Sequence, residues 1–367
     1  MQALILAGGE GTRLRPLTST IPKPVVPLAG RPFISHMLEW LRGHGVDDVI
    51  LLCGFMAEGV RAVLGDGDSL GVRLRYLEEP EPLGTGGALK YAESLLDERF
   101  LMLNGDVLTD IDLGAQLTQH ERTAARATLA LIAVEDPSAY GLVRRNPDLS
   151  VRQFLEKPSA EEIDTNLVNA GCYVLQRDVL AAMPPAGTNV SIEREVFPAL
   201  VGRGLYGYEA HGYWLDIGTP QRYLQGTFDI LEGTVRTGVG ARLRAAGGTL
   251  CDGAAVRGEV HAPAIIDAGS QIAAEALVGS RVVLGEGVQI GAGARVSDSV
   301  LLDGARIGAD TRIRGSIVGP SVRIGERCVI EDGVVLGAGV QIGDGNVLRA
   351  GLRLSPSVRL GEGAISF

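Results

Sequence analysis

The sequence predicts an α/β domain on a mixed, mostly parallel sheet, followed by a left-handed parallel β-helix of hexapeptide repeats. Three observations predict this. Through about residue 232, short apolar runs alternate with amphipathic stretches. From residue 250 onward, aliphatic side chains recur every six positions. Glycine contributes 51 of 367 residues, about twice its usual share of ~7%.

In the first region "ALILAGG", "DDVILLCG", "VRLRYLEE" and "RFLMLNGD" read as strands. "FISHMLEWLRGHG", "GTGGALKYAESLL" and "LGAQLTQHERTA" read as helices. Strands alternating with helices imply a mostly parallel sheet covered on both faces. Ligands of such sheets bind beyond the carboxyl ends of the strands, where Gly8, Gly9, Asn104, Gly105 and Asp106 fall. "TPQRYLQGTFDILEG" reads as the last helix and "TVRTGVGARLRAAGG" as a connector. The expected divisions are 1–232, a linker over 233–249, and 250–367.

In the second region Val260, Ile266, Ile272, Val278, Leu284, Ile290, Val296 and Leu302 lie at intervals of six. After one five-residue step come Ile307 and Ile313; after another, Val318, Ile324, Ile330, Leu336, Ile342 and Leu348. Each hexad supplies one flat face and three faces close one triangular coil, with about five coils in all. Each inward aliphatic contributes about 1.5–3 kcal/mol on burial, and stacking the coils turns this into a stable fold. Glycines at the corners explain their excess.

Apolar residues make up 46% and charged residues 21% of the chain, as in ordinary soluble proteins. The net charge of -10, without a Lys/Arg cluster, argues against nucleic acid. The N-terminal apolar run stops at Gly8 without a basic stretch before it, so neither a signal peptide nor a membrane span is expected. Cys53, Cys172, Cys251 and Cys328 are widely spaced and read as reduced thiols of a cytoplasmic protein. His36, His44, His120, His211 and His261 show no metal-ligand spacing and read as surface or packing residues.

The stretch "LAGGEGTRLRPLTSTIPKPVVP" carries the most chemistry. Leu14 stands where a dinucleotide fingerprint needs its third glycine, and a Walker A Gly-Lys-[Ser/Thr] is absent. The parts of a phosphate cradle are nonetheless present. Gly8, Gly9 and Gly11 let backbone N–H groups approach an anion, Arg13, Arg15 and Lys23 bring positive charge, and Pro22 and Pro24 stiffen the chain around Lys23.

That stretch resembles the signature of the sugar-1-phosphate nucleotidyltransferases. The resemblance continues through "EPLGTGGAL", "LNGD", "YGLV", "EKP", "NAGCYV", "SIEREVFP" and "WLDIGTP" into the repeats. It implies a Rossmann-like sheet of the nucleotide-diphospho-sugar transferase type. The implied reaction is attack of a sugar-1-phosphate oxygen on the α-phosphorus of a nucleoside triphosphate. "EPLGTGGAL" and "SIEREVFP" look most like the mannose-1-phosphate guanylyltransferases within the family. Because the nucleophile is already an anion, positioning and charge neutralisation suffice.

Residue by residue, the resemblance implies that Arg13 holds the leaving phosphates and Lys23 stabilises the α-phosphate. Leu6, Ala7, Gly8, Gly9, Gly11, Thr12, Gly84 and Thr85 would line the nucleotide. Glu79 matches the base-reading position. A carboxylate is acceptor-only and suits guanine, which presents two adjacent donors; Glu78 and Glu81 are near enough in sequence to take the role instead. Lys157 matches a sugar-phosphate contact. Asn104, Glu156, Asn169 and Gly171 match sugar contacts, as do Tyr140 and Gly141 beneath the sugar. Glu193 either joins them or caps a helix with Ser191. Asp106 and Asp216, each ending an apolar strand, match the Mg²⁺ ligands. Arg15 is left to a surface pair.

The expected partners are a nucleoside triphosphate, a sugar-1-phosphate and further copies of the chain through the β-helix, with no nucleic acid and no membrane. The alternatives are a thymidylyl- or adenylyltransferase for glucose-1-phosphate, a heptose-1-phosphate guanylyltransferase, and a non-catalytic regulatory homologue. An acyl-transfer activity in the β-helix is disfavoured, since His261 alone of the five histidines lies there.

Overall fold

The structure is a computed structural model and describes residues 1–366. The chain forms two compact units. One comprises Met1–Gly9 and Met37–Trp214; the other comprises Glu10–His36 and the chain from Leu215 onward.

The first unit is organised by a nine-stranded sheet. Its strands are β1 (Gln2–Leu6), β2 (Asp48–Cys53), β3 (Arg73–Glu78), β4 (Arg99–Asn104), β5 (Ala127–Ala133), β6 (Gly141–Arg145), β7 (Val151–Glu156), β8 (Leu167–Gln176) and β9 (Leu205–Glu209). The order is β7-β6-β8-β4-β1-β2-β3, with β5 joining β8 to β9. β1 pairs in parallel with β2 and β4, and β2 with β3. Ala3, Leu4 and Ile5 are fully buried, as expected of a central strand covered on both faces. Beyond β4 the sheet becomes mixed, as expected, and β9 runs parallel to β5. β8 runs antiparallel to β4, β5 and β6, and β6 runs antiparallel to β7. β5 and β8 are nonetheless buried along most of their length, so an apolar run alone does not tell a parallel strand from an antiparallel one.

Parallel register brings Leu6 level with Leu52 and Asn104, and Cys53 level with Glu78. Gly8, Glu79 and Asn104 therefore emerge at one edge of the sheet. In β8 the register with β5 shifts between Asn169 and Tyr173, and this bulge re-aims the chain there.

The second unit ends in a three-sided stack of parallel strands, with sheets of seven, seven and six strands. Ile272, Ile290, Ile307, Ile324 and Ile342 lie in register along one side, and all five belong to one buried core. The solenoid outruns the expected five coils at both ends. It begins at Thr249–Cys251 and closes with Arg353–Leu354 and Arg359–Leu360. End coils have one neighbour instead of two, so their aliphatics are less buried and their pattern is weaker.

One assignment in the hexad series is corrected. The inward side chain is Leu301, in register between Leu284 and Val318, while Leu302 lies past the strand Ser299–Leu301. The corner before it is shortened at Asp298, which has φ 49°. The glycines also divide into two kinds. Some hold left-handed corners, as at Gly293 (φ 69°). Others, such as Gly308, permit close stacking, since a Cβ there would lie 2.4 Å from the backbone of Gly325.

Ahead of the solenoid, helix Pro220–Glu232 starts at Thr219, whose Oγ1 accepts from Arg222 N at 3.3 Å, and stops at Gly233 with φ 77°. The stretch expected to be a connector contains a further helix, Gly238–Ala245, capped by Thr237. Among the described residues no helix is long and apolar enough to cross a membrane. Cys53, Cys172 and Cys328 are buried free thiols and Cys251 is exposed. His120 is buried against Thr128 at 2.9 Å, and burial pushes its pKa down to about 4.

Candidate active site

In the first unit, Gly8 lies directly over Glu79. A Cβ at Gly8 would stand 2.9 Å from Glu79 Oε2, whereas one at Gly9 would enter open space. Ala7 is fixed by its N–H to Leu52 O at 2.8 Å and Glu79 by its N–H to Cys53 O at 2.9 Å. Of the three candidate glutamates, Glu78 and Glu81 are exposed and Glu79 is half-buried. Its Oε1 is buried with no hydrogen-bond partner among the described residues. Burial raises its pKa, against a lowering contribution from the Leu83 amide. An acceptor that the described residues leave unsatisfied at the end of a parallel sheet suits a ligand that brings N–H donors.

Gly84 and its neighbours lie close against the backbone of Val190. Gly84 has φ 70°, and a Cβ there would lie 2.6 Å from Val190 O. The Gly86 and Gly87 amides both donate to that same carbonyl, at 2.8 and 3.2 Å. Thr85 Oγ1 then donates to Glu193 Oε2 at 2.7 Å and accepts from Ile192 N at 2.9 Å. The cap of helix Ile192–Val196 is completed by Glu195, which accepts from Ser191 N at 2.9 Å. Glu193 instead joins Ser191 Oγ, at 2.9 Å, to Thr85.

A second cluster gathers around the β8 bulge. Asn169 Oδ1 accepts from Gly171 N at 3.1 Å, and its Nδ2 donates to the Tyr173 hydroxyl at 2.8 Å. Gly171 has φ 71°, and a Cβ there would meet Asn104 Nδ2 at 2.8 Å. Gly141 pairs with Glu156 in register, and a Cβ at Gly141 would lie 3.0 Å from Glu156 Oε2. Burial, then the nearby Glu193 carboxylate, raise the pKa of Glu156, while Lys157 and Arg194 oppose this. Lys157 is exposed, with φ 54°, and its N–H donates to Tyr140 O at 3.2 Å. Tyr140 stacks edge-on against Trp214 with centroids 5.3 Å apart, and Trp214 Nε1 donates to Ala170 O at 2.8 Å. Trp214 and the buried Tyr173 were not singled out in the sequence, although Trp214 lies in the quoted "WLDIGTP". Asp106 is held at the sheet edge because the preceding Gly105 donates to Leu6 O at 2.9 Å.

In the second unit, Gly11 begins the turn Thr12–Leu14 with φ 62°. Thr18 Oγ1 donates to Gly11 O at 2.7 Å. The bare Cα of Gly11 leaves room for Lys23, whose Cβ would stand 3.1 Å from a side chain there. Lys23 opens the short turn Lys23–Val25 with Pro22 before it. Arg13 and Asp216 converge on Gly218. A Cβ at Gly218 would lie 2.6 Å from Arg13 Nη2 and 3.1 Å from Asp216 Oδ1. Arg222 Nη1 is 3.3 Å from Asp216 Oδ2. Arg15 pairs with Glu10 at 2.9 Å on the surface, as expected.

Among the described residues no three His, Cys, Asp or Glu side chains cluster as a closed metal cage. Mg²⁺ does not need one, since it takes one or two carboxylates and completes its shell with phosphate oxygens and water. Asp106 in the first unit and Asp216 in the second are each carboxylates of the type that Mg²⁺ takes.

Residues 2–233 match the model of the nucleotidyl transferase family, and residues 260–361 match that of the GMPPB C-terminal domain. The chain is 38% identical to a mannose-1-phosphate guanylyltransferase of Mycobacterium tuberculosis over 83% of this chain and 80% of that one. It is 40% identical to a mannose-1-phosphate guanyltransferase of Yarrowia lipolytica over 62% of this chain and 63% of that one. Among solved structures, HddC from Yersinia pseudotuberculosis complexed with GMP-PN superposes with a TM-score of 0.54 at 27% identity, covering 62% of this chain and 98% of that one. Sequence, sheet topology and repeat domain agree: the chain belongs to the nucleotidyl transferase family.

Proposed function

We propose that this protein transfers a guanylyl group from GTP to mannose-1-phosphate, giving GDP-mannose and pyrophosphate. The observation that carries the choice of base is the buried Oε1 of Glu79, which has no hydrogen-bond partner among the described residues. Guanine offers N1–H and the N2 amine side by side, and a carboxylate accepts both. The names of the relatives support the choice of sugar.

A mannose-1-phosphate oxygen attacks the α-phosphorus, the bond to the β-phosphate oxygen breaks, and pyrophosphate leaves with its electron pair. No side chain needs to remove a proton. Lys23 stabilises charge growing at the α-phosphate and Arg13 holds the departing phosphates. Asp106 and Asp216 would hold Mg²⁺, which supplies charge neutralisation at the phosphates when bound. Glu156, Asn169 and Glu193 receive sugar hydroxyl donors, Lys157 meets the sugar phosphate, and Tyr140 with Trp214 offers an aromatic surface. A cytoplasmic homo-oligomer completes the proposal; free thiols suit a reducing compartment.

The test is product identification. Purified protein with Mg²⁺, GTP and mannose-1-phosphate should yield GDP-mannose by mass spectrometry, with stoichiometric pyrophosphate. No sugar nucleotide under these conditions refutes the proposal.

A further inference from the structure

One side of the solenoid differs from the others in what it presents outward. Ile265, Val283, Val300, Ile317 and Val335 lie in register on successive strands of the first sheet. All five are buried, yet none belongs to the interior stack. The matching outward positions of the second sheet are polar, with Gln271, Gln289, Arg306 and Arg323 in register. The apolar side is therefore built to be covered. Gly30 of the segment Glu10–His36 lies over it, where a Cβ would be 3.2 Å from Asp267 Oδ2 and 3.5 Å from Ile265 Cγ2.

The next rung after Val335 is Arg353. Its Nη1 donates to the carbonyls of Arg13, at 3.0 Å, and Arg15, at 3.3 Å. These two carbonyls flank the end of the turn Thr12–Leu14, where the Arg15 amide donates to Thr12 O at 3.2 Å. A guanidinium is planar, permanently charged and rigid in its donor directions. Two acceptors on one such donor fix the local path of the loop more tightly than a single neutral hydrogen bond.

We propose that Arg353 is a positioning residue for the Arg13 loop, so that the solenoid takes part in nucleotidyl transfer by fixing the loop that grips the triphosphate. This rests on the proposed role of Arg13. Displacing a phosphate-gripping group by an ångström lowers transfer by about ten- to a hundredfold. The effect falls on the nucleotide and not on the sugar phosphate.

The experiment compares Arg353→Ala, Arg353→Lys and, as a control, Arg359→Ala, an exposed arginine on the polar side. The expected result for Arg353→Ala is a fall of about ten- to a hundredfold in kcat/KM for the triphosphate. KM for the sugar phosphate and the thermal midpoint stay near those of the unaltered protein. Arg353→Lys retains part of the activity, and millimolar guanidinium restores part of it to Arg353→Ala alone. Kinetics matching the Arg359→Ala control overturn the proposal, as does an equal loss toward both substrates without guanidinium rescue. If the unaltered protein shows no transfer, the functional reading fails by itself. The clamp is then read from hydrogen exchange of the Thr12–Arg15 amides, where faster exchange in Arg353→Ala supports it and equal exchange overturns it.

Discussion

Replacing Glu79 with glutamine separates a site that reads guanine from one that merely holds phosphates. The Oε1 of Glu79 is buried with no partner among the described residues, and burial raises its pKa. Guanine would give this carboxylate two N–H donors. A hydrogen bond to a charged group contributes about 1.5–3 kcal/mol. Glutamine turns one acceptor into an amine facing a donor, so one bond is lost and one buried donor is stranded. The combined loss is about 3 kcal/mol, which corresponds to about a hundredfold in kcat/KM. dTTP presents a different edge and does not share that penalty, so the preference for GTP over dTTP should fall by about the same factor. Removing a carboxylate that lacks a full set of partners leaves the fold intact, and thermal melting should confirm this. Pyrophosphate release with each triphosphate, at saturating sugar-1-phosphate, gives the ratio. An unchanged ratio in a folded Glu79→Gln protein refutes the base-reading argument.

Four further outcomes follow from particular contacts. Lys23→Ala should lower kcat by about two to three orders of magnitude with an unaltered melting curve; a normal steady-state rate removes Lys23 from the machinery. Gly218→Ala places a methyl 2.6 Å from Arg13 Nη2, so KM for the triphosphate should rise several-fold while that for the sugar phosphate holds. Gly308→Ala forces a methyl to 2.4 Å from the backbone of Gly325 and should cost about 1–3 kcal/mol, read from urea unfolding. Asp267 has its pKa raised to about 6 by burial and by Asp303, Glu286 and Asp252, partly opposed by Arg242. A raised folded-state pKa means that its stabilising contribution is complete below about 4 and is lost as pH rises through 6. Asp267→Asn should therefore be more stable than the unaltered protein by about 1–3 kcal/mol at pH 7, after allowance for solvent screening. The two should converge near pH 4, as measured by denaturant midpoints at both pH values.

What the sequence disclosed depended on how local the cause is. The strands Gln2–Leu6, Asp48–Cys53 and Arg99–Asn104 are buried on both faces through their centres, so each has an apolar run after its polar first residue. The solenoid was legible because one repeat satisfies the same stacking constraint in every coil. Leu302 was taken for Leu301 because a five-residue step fixes where a corner shortens only to within one residue. The glycines of "LGTGG" support the backbone of Val190, a contact across about a hundred residues that no local pattern carries. Arg353 was invisible for the same reason, since its partners lie 340 and 338 residues away. The apolar outward ladder was present in "AII", "VVL" and "SVL". It is recognised only once the register shows which member of each triplet faces out. Glu79 was distinguished from Glu78 and Glu81 by burial, which alternation along a strand end cannot settle for three neighbouring carboxylates.

The central claim is that the chain couples GTP to mannose-1-phosphate. It is tested most directly by measuring pyrophosphate release for four nucleoside triphosphates crossed with mannose-, glucose- and heptose-1-phosphate. The expected result is one dominant pair, GTP with mannose-1-phosphate. A dominant dTTP or ATP column, or a dominant glucose or heptose row, would contradict it.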